Sequence, residues 1–225
     1  MTGKRLIGFI AVVLAVFLAG CLSSSSSAPQ GRAVFAITDV AADMGAVTSV
    51  NVTIDSVEAH NSAQGWVTVS SAQQTYDLLM LKAEGRKALL GDVNLTPGSY
   101  QQVRLIISKV VVTDSSAHEA KLPSGELKIV GGFNVSENST SAIIFDFIAS
   151  DSLHVTGKGE YIFAPVVKLT AVEGADVDAS SKSDVKVRGG SEKSIEVGMG
   201  LDGTTGEGVK VAKDKKLSIE GGKIV

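Results

Sequence analysis

The stretch SVNVTIDSVEAH, residues 49–60, decides the fold class. Val50, Val52 and Ile54 alternate with Asn51, Thr53 and Asp55, the two-residue period of a half-buried strand. The apolar phase then moves to Val57 and Ala59. A β-bulge near Asp55-Ser56 would return the apolar side chains to the same face. The pattern recurs on both sides of this stretch. RAVFAIT (32–38) precedes it, and GWVTVS (65–70) and QTYDLLML (74–81) follow. TPGSYQQVRLIISKVVVTD (96–114) is a long strand entered through a Pro-Gly turn. AKLPSGELKIVGGFNVS (120–136) reads as two short strands, broken at Pro123-Ser124-Gly125 and again at Gly131-Gly132. SAIIFDFIAS (141–150) and GEYIFAPVVKLTAV (159–172) complete the set. Pro165 cannot donate to a ladder and marks an edge or a bulge.

KAEGRKALL (82–90) is rich in helix formers and predicts one short helix near 83–90. The strands are regularly spaced and do not alternate with long helices. Residues 32–172 are therefore expected to form an all-β antiparallel β-sandwich, Greek-key or transthyretin-like. The composition agrees: 44% hydrophobic residues, 5% aromatics and 24 glycines in 225 residues suit a turn-rich β protein. EGADVDASSKSD (173–184) is small and polar and reads as a linker. Residues 185–225 hold four β-like pieces, VKVRGG, SIEVGMG, GVKVAKD and KLSIEGGKIV. A piece of about 40 residues hardly buries a core by itself. A small Gly-rich β tail is expected there, loosely packed or partly disordered, with an open edge able to dock on a partner.

The N-terminus sets the compartment. Lys4 and Arg5 precede LIGFIAVVLAVFLAG (6–20), 15 residues without a charge. A membrane span needs about 20, so this is the size of a signal-peptide core behind a basic start. It ends in Leu18-Ala19-Gly20-Cys21, and Cys21 is the sole cysteine of the chain. Small residues before a lone cysteine resemble a lipobox, the cleavage and lipidation signal of bacterial and archaeal lipoproteins. The resemblance implies that residues 1–20 are removed and that Cys21 carries lipid; the alternative is an uncleaved N-terminal anchor. Either way an extracytoplasmic, membrane-held location is expected. Without another thiol, the folded part has no disulfide and no thiol chemistry. Residues 21–31 make a Ser-rich tether, and about eleven such residues reach roughly 17–20 Å. Cleavage would change 21 basic against 24 acidic residues to 19 against 24, a formal charge of −5. No concentrated basic face suggests a nucleic-acid partner.

A family resemblance emerges from several blocks taken in order. They are AITDVAADMGAVTSVNVTIDSVEAH (36–60), GWVTVS, YDLLMLK with ALLGDVNLTPGSYQQVRLIIS (88–108), LPSGELKIVGGFNV (122–135) and FDFIASDSLHVTGKGEYIFAPVVKL (145–169). Together, over about residues 31–171, the chain resembles domain of unknown function 4382, found in archaeal and bacterial lipoproteins. The resemblance implies a β-rich extracytoplasmic module behind a lipid anchor and carries no activity with it.

The chemistry-bearing residues are sparse. Asp39 and Asp43 in ITDVAADMG are the candidate metal ligands, since a hard cation takes clustered oxygens. The competing reading is a loop whose aspartates bond their own backbone. Gly198, Gly200 and Gly203 spell G-x-G-x-x-G, but TTGEGVKV follows rather than a helix, so the glycines serve turns. HEAKL (118–122) lacks the second histidine of a zinc-protease motif, and no G-x-S-x-G occurs. His60, His118 and His154 are far apart in sequence; they either meet at a sandwich edge, where strand ends gather, or are plain surface or turn residues. Asp146, between Phe145 and Phe147, is either buried with a shifted pKa or on the solvated face. Trp66, Tyr76, Tyr100 and Tyr161 form either a sugar-stacking platform or core and rim packing. Four of five asparagines, Asn51, Asn94, Asn134 and Asn138, lie in N-x-S/T sequons and are glycan acceptors or polar turn residues. No catalytic residue and no cofactor is expected. The expected function is a membrane-anchored module for binding or display, with an envelope glycan or surface protein as partner. A structural envelope component and an enzyme are the alternatives.

Overall fold

The structure, a computed structural model, describes residues 28–40, 43–213 and 215–224. Cys21 and the expected signal peptide lie outside the described residues.

In chain order the first elements are β1 (Gly31–Asp39), β2 (Ser49–Asn61), β3 (Gly65–Ser70), β4 (Gln74–Asp77), α1 (Leu78–Glu84) and β5 (Ala88–Leu95). Next come β6 (Gly98–Thr113), β7 (Ala117–Glu119), β8 (Glu126–Val135), β9 (Thr140–Phe147) and the single turn α2 (Ala149–Ser152). β10 (Leu153–Val155), β11 (Tyr161–Phe163), β12 (Val166–Glu173), β13 (Asp176–Asp178) and β14 (Lys186–Arg188) follow. The chain ends with β15 (Ser191–Met199), β16 (Thr205–Glu207), β17 (Ile219–Glu220) and β18 (Lys223–Ile224).

Two six-stranded sheets face each other, giving the all-β sandwich. Sheet A runs β16-β15-β12-β9-β1-β5. Its pairs are antiparallel except β1 with β9, which are parallel. A parallel pair needs a long crossover, and the crossover here is the whole of sheet B together with β5. Sheet B is built on the ribbon of β2 and β6, with β3 and β4 sharing the free side of β2 and β7 and β8 sharing that of β6.

The slip in SVNVTIDSVEAH is a bulge, as its periodicity predicts. Ile54 pairs with Ile107 and Ser56 with Ile106, leaving Asp55 without a partner across the ladder. The Asp55 carboxylate accepts from Ser108 Oγ and Gln73 Nε2, each at 2.7 Å. These bonds, that of Ser108 foremost, hold it below the usual carboxylate range.

Three expectations are corrected. The helix expected near 83–90 lies at Leu78–Glu84, and Ala88–Leu95 is a strand paired with β1. Asp77 caps the helix by accepting from the N–H groups of Leu79 (3.1 Å) and Met80 (3.3 Å). Gly85, at φ +61°, ends it: its N–H bonds Lys82 O and that of Arg86 bonds Leu81 O, a Schellman motif. Gly131-Gly132 does not break β8. Phe133 pairs with Tyr100 and Val130 with Gln102, so the glycines form a bulge. A Cβ on residue 132 would sit 1.6 Å from the Tyr100 carbonyl oxygen, so only glycine fits.

The third correction concerns the tail. β15 pairs with β12 over eight residues, from Val166 opposite Gly198 to Glu173 opposite Ser191. Val197 and Met199 are buried in the main core with Phe35, Phe145 and Leu169. The presumed linker forms β13, which pairs with β14. This hairpin lays Val177 and Val185 over Val34, Ala36, Ala142 and Ile144 on the outer face of sheet A. A third apolar cluster joins Ile162 and Ala164 to Val211 and Leu217. β15 and β16 therefore complete sheet A, and the β13–β14 hairpin covers its outer face, instead of hanging from the sandwich.

Between the sheets, Phe35 meets Phe133 edge-on at 5.5 Å, and Tyr100 stacks on Phe133 at 5.0 Å. Tyr76 Oη donates to Leu89 O (2.9 Å) across the sandwich; burial pushes its phenol up to about 12.

Candidate binding cleft

Sheet A is apolar on both faces over part of its strands' length and polar on its outer face over the rest. The registers place three rows across β1, β9, β12 and β15. Val34, Ala142, Val172 and Glu192 form one row; Ala36, Ile144, Thr170 and Ser194 form the next. Thr38, Asp146, Lys168 and Glu196 form the third. The β13–β14 hairpin covers the apolar end. At the polar end a cleft of about 490 Å³ remains, lined by Thr38, Asp39, Lys87, Asp146, Lys168 and Thr170, with Val187 and Gly189 of the hairpin side as one wall.

Each polar group has a local cause. Thr38 Oγ1 donates to Arg86 O (2.8 Å), which ties β1 to the loop that carries Lys87. Asp39 is 5% exposed and accepts the Ala149 N–H through Oδ1 at 3.0 Å. Asp146 is half-buried, and its Oδ1 is shut off from solvent without a hydrogen bond. Burial raises its pKa, while Lys168 and Lys87 act in the opposite direction. The cleft thus sets Lys87, Lys168 and two threonines among the carboxylates of Asp39, Asp146 and Glu192, of which Asp146 is poorly hydrated. It can bind an anionic group through the lysines and hydroxyls through the oxygens.

Of the two candidate metal ligands, Asp39 lines this cleft. Asp43 lines a separate depression with Met44, Val47 and Leu79. The Asp43 carboxylate accepts the Gly45 N–H at 2.9 Å, an Asx turn. Among the described residues, no group of three His, Cys, Asp or Glu side chains gathers in metal-binding geometry.

A second polar cluster joins the β6–β7 turn to β11. Tyr161 Oη donates to Asp114 Oδ2 at 2.8 Å. The Ser116 N–H (2.9 Å), Tyr161 and His118 hold Asp114 well below the usual carboxylate range. Ser116, His118 and Asp114 invite comparison with a hydrolase triad. Ser116 Oγ (2.8 Å) and Asp114 Oδ1 (3.2 Å) both meet His118 at Nε2, however. A relay needs them on opposite ring nitrogens, so this cluster lacks that geometry.

The four-aromatic platform does not form. Tyr76, Tyr100 and Tyr161 are buried, whereas Trp66 is 37% exposed on the outer face of sheet B. There the Arg104 guanidinium lies 4.2 Å from the Trp66 ring centroid, and His60 packs against the ring. Glu58 hydrogen-bonds and pairs with Arg104.

Among the sequons, Asn94, Asn134 and Asn138 are exposed, Asn138 at φ +54°. Asn51 Nδ2 donates to Ser49 Oγ, and Asn134 Nδ2 to Glu173 Oε1. The lysines of the cleft escape sequence reasoning. Lys168 does leave a signal: it is the one charge within the apolar run of β12 before Glu173.

The family model described as a domain of unknown function (DUF4382) matches residues 30–165, well over half of the chain. The chain belongs to this family. The DUF4382 match covers β1 to β11 and stops one residue before β12, so the strands β12, β15 and β16 of sheet A lie beyond it. No curated protein and no solved structure matches the chain. Among the described residues, no helix is long and apolar enough to cross a membrane.

Proposed function

We propose that this DUF4382 chain is a lipid-anchored extracytoplasmic lipoprotein whose sandwich binds an acidic, hydroxyl-rich ligand, an envelope glycan, in the cleft on sheet A. The observation that carries the reading is the row Thr38–Asp146–Lys168 at the uncovered end of the sheet, with Lys87 beside it. Two lysines set beside the carboxylates of Asp39, Asp146 and Glu192 suit a ligand that brings both negative charge and hydroxyl donors. The lipobox-like LAGC at 18–21 and the serine tether support delivery to the outer surface of the membrane. Lipid on Cys21 would contribute about 0.8 kcal/mol per buried methylene, and two chains give stable anchoring. On this reading the protein is a surface glycoprotein, with exposed Asn94, Asn134 and Asn138 the expected glycan acceptors.

Two measurements test it. Cys21→Ser should move the protein from the membrane to the soluble fraction; retention at the membrane with residues 1–20 intact would refute lipid anchoring. Polyuronate and neutral polysaccharides, titrated into the full chain by calorimetry, should separate: binding to the acidic polymer is expected, weakened at least tenfold by Lys168→Glu. Equal binding of both polymers, or no effect of the substitution, would refute the cleft.

A further inference from the structure

His154, expected as a surface or turn residue, is instead a buried residue of β10: it is 8% exposed, and its Nε2 is buried without a hydrogen-bond partner, while the ring donates to the Asp151 backbone carbonyl. Its surroundings explain the burial. In the β10–β11 hairpin His154 pairs with Ile162. Tyr161 and Phe163 point into the main core, so Ile162 and His154 point the other way. On that side lies the C-terminal segment, 208–213 and 215–224, which packs Val211, Leu217 and Ile219 against Ile162 and Ala164. The Gly157 N–H bonds Leu217 O at 3.2 Å.

The segment is also fastened by charge. Lys210 and Lys213 pair with the two oxygens of Asp151 at 3.1 and 3.0 Å, and Lys210 reaches Glu196 of β15 at 2.8 Å. The charged groups acting on the imidazole are therefore Asp151 from α2 and Lys213 from the segment, with Lys210 behind them on Asp151 and Glu196; β11 brings the apolar Ile162. A proton on His154 would place a buried cation beside Lys213.

We propose that the C-terminal segment is a pH-released strap, with His154 as the sensor whose protonation undocks it and uncovers the apolar surface of Ile162 and Ala164. The sign follows from linkage. Burial, foremost, and Lys213 lower the His154 pKa in the docked state, and the released strap returns it towards its ordinary 6.5. Docking is at full strength above pH 6.5 and weakens as pH falls from there to the depressed value, by up to tenfold per pH unit. Asp151 does not confuse the window. The hydrogen bond from Lys213, foremost, lowers its pKa from 3.8, so its own loss of charge comes at lower pH.

Hydrogen exchange of the full chain, corrected for the intrinsic pH dependence of exchange, tests the proposal. Protection of residues 211–213 and 215–219 should be lost progressively as pH falls from 7 to 5, by no more than tenfold per pH unit, while β9 stays protected. His154→Asn keeps a donor for the Asp151 carbonyl but takes no proton, and should abolish the dependence. A flat profile in the wild type, or the same loss in His154→Asn, would overturn it. As a check independent of the variant, the His154 ring-proton shift should titrate with the midpoint of strap opening. A ring still neutral after the strap has opened would also overturn it.

Discussion

Met199→Ala tests whether the C-terminal quarter of the chain belongs to the core. Met199 ends β15, beyond the DUF4382 match; it is fully buried, and its N–H donates to Pro165 O at 2.9 Å. Truncating a buried methionine to alanine costs about 2–5 kcal/mol, the lost transfer energy plus the cavity left behind. Domains are stable by only about 5–15 kcal/mol, so one such change removes a large fraction of the total. For a chain of this size, about 2–4 °C per kcal/mol translates the loss into a fall in Tm of about 4–20 °C. Lys193→Ala, exposed on the same strand, is the control and should stay within about 0.5 kcal/mol of wild type. Urea unfolding followed by far-UV circular dichroism and by Trp66 fluorescence gives both values. If Met199→Ala matched Lys193→Ala, β15 would be an appendage and the six-stranded description of sheet A would be wrong.

Other substitutions probe single features. Gly132→Ala should cost several kcal/mol in the same assay, because the new Cβ meets the Tyr100 carbonyl at 1.6 Å; Gly65→Ala, at φ +75° with open space around it, should cost about 1–2 kcal/mol. Asp77→Ala removes the cap of α1 and should destabilise by about 0.5–2 kcal/mol, with Asp77→Asn largely restoring stability. Asp114 is depressed in the fold, so its contribution is present above its ordinary 3.8 and is lost as pH falls through the folded value. Tyr161→Phe removes one cause of that depression and should raise the carboxyl pKa, read by carbon NMR; an unchanged value would show that the phenol does not act on Asp114.

Much of the fold is legible in local pattern. Alternation in 49–60 gives β2, its face and even its bulge, because a period-two pattern records which side meets the core. Asn51 lies between inward Val50 and Val52 as the pattern requires. Two failures come from reading composition ahead of punctuation. Gly85 interrupts a run of helix formers and looks like a defect; it is the stop of a helix that Asp77 starts. Residues 173–224 look too short and too polar for a core, and by themselves they are. They gain burial against β12, the outer face of sheet A, and Ile162 and Ala164, which are non-local partners that no window of sequence displays. The cleft was hidden for the same reason. Asp146 stands out between phenylalanines, but Lys168 and Thr38 become its neighbours only through one parallel and one antiparallel pairing.

The position of the cleft follows from the unequal cover of sheet A. A sheet face open to water stays soluble by carrying polar side chains, and a covered one by carrying apolar ones. The outer face does both in sequence, from Val34, Ala142 and Val172 to Thr38, Asp146 and Lys168. The change occurs where the β13–β14 hairpin stops. A carboxylate at such a boundary is neither fully hydrated nor fully enclosed, which is why burial raises the Asp146 pKa while Lys168 and Lys87 still act on it. The hairpin lies outside the matched DUF4382 region, whereas Thr38 and Asp146 lie inside it. It follows that the matched region supplies the cleft floor from β1 and β9. The segment after residue 165 supplies Lys168, Thr170 and the wall at Val187 and Gly189. Replacing residues 174–190 with a short turn should therefore open the cleft and expose the apolar row at once. Acidic-polymer affinity and solubility would then fall together, and loss of one without the other would separate the cleft from its cover.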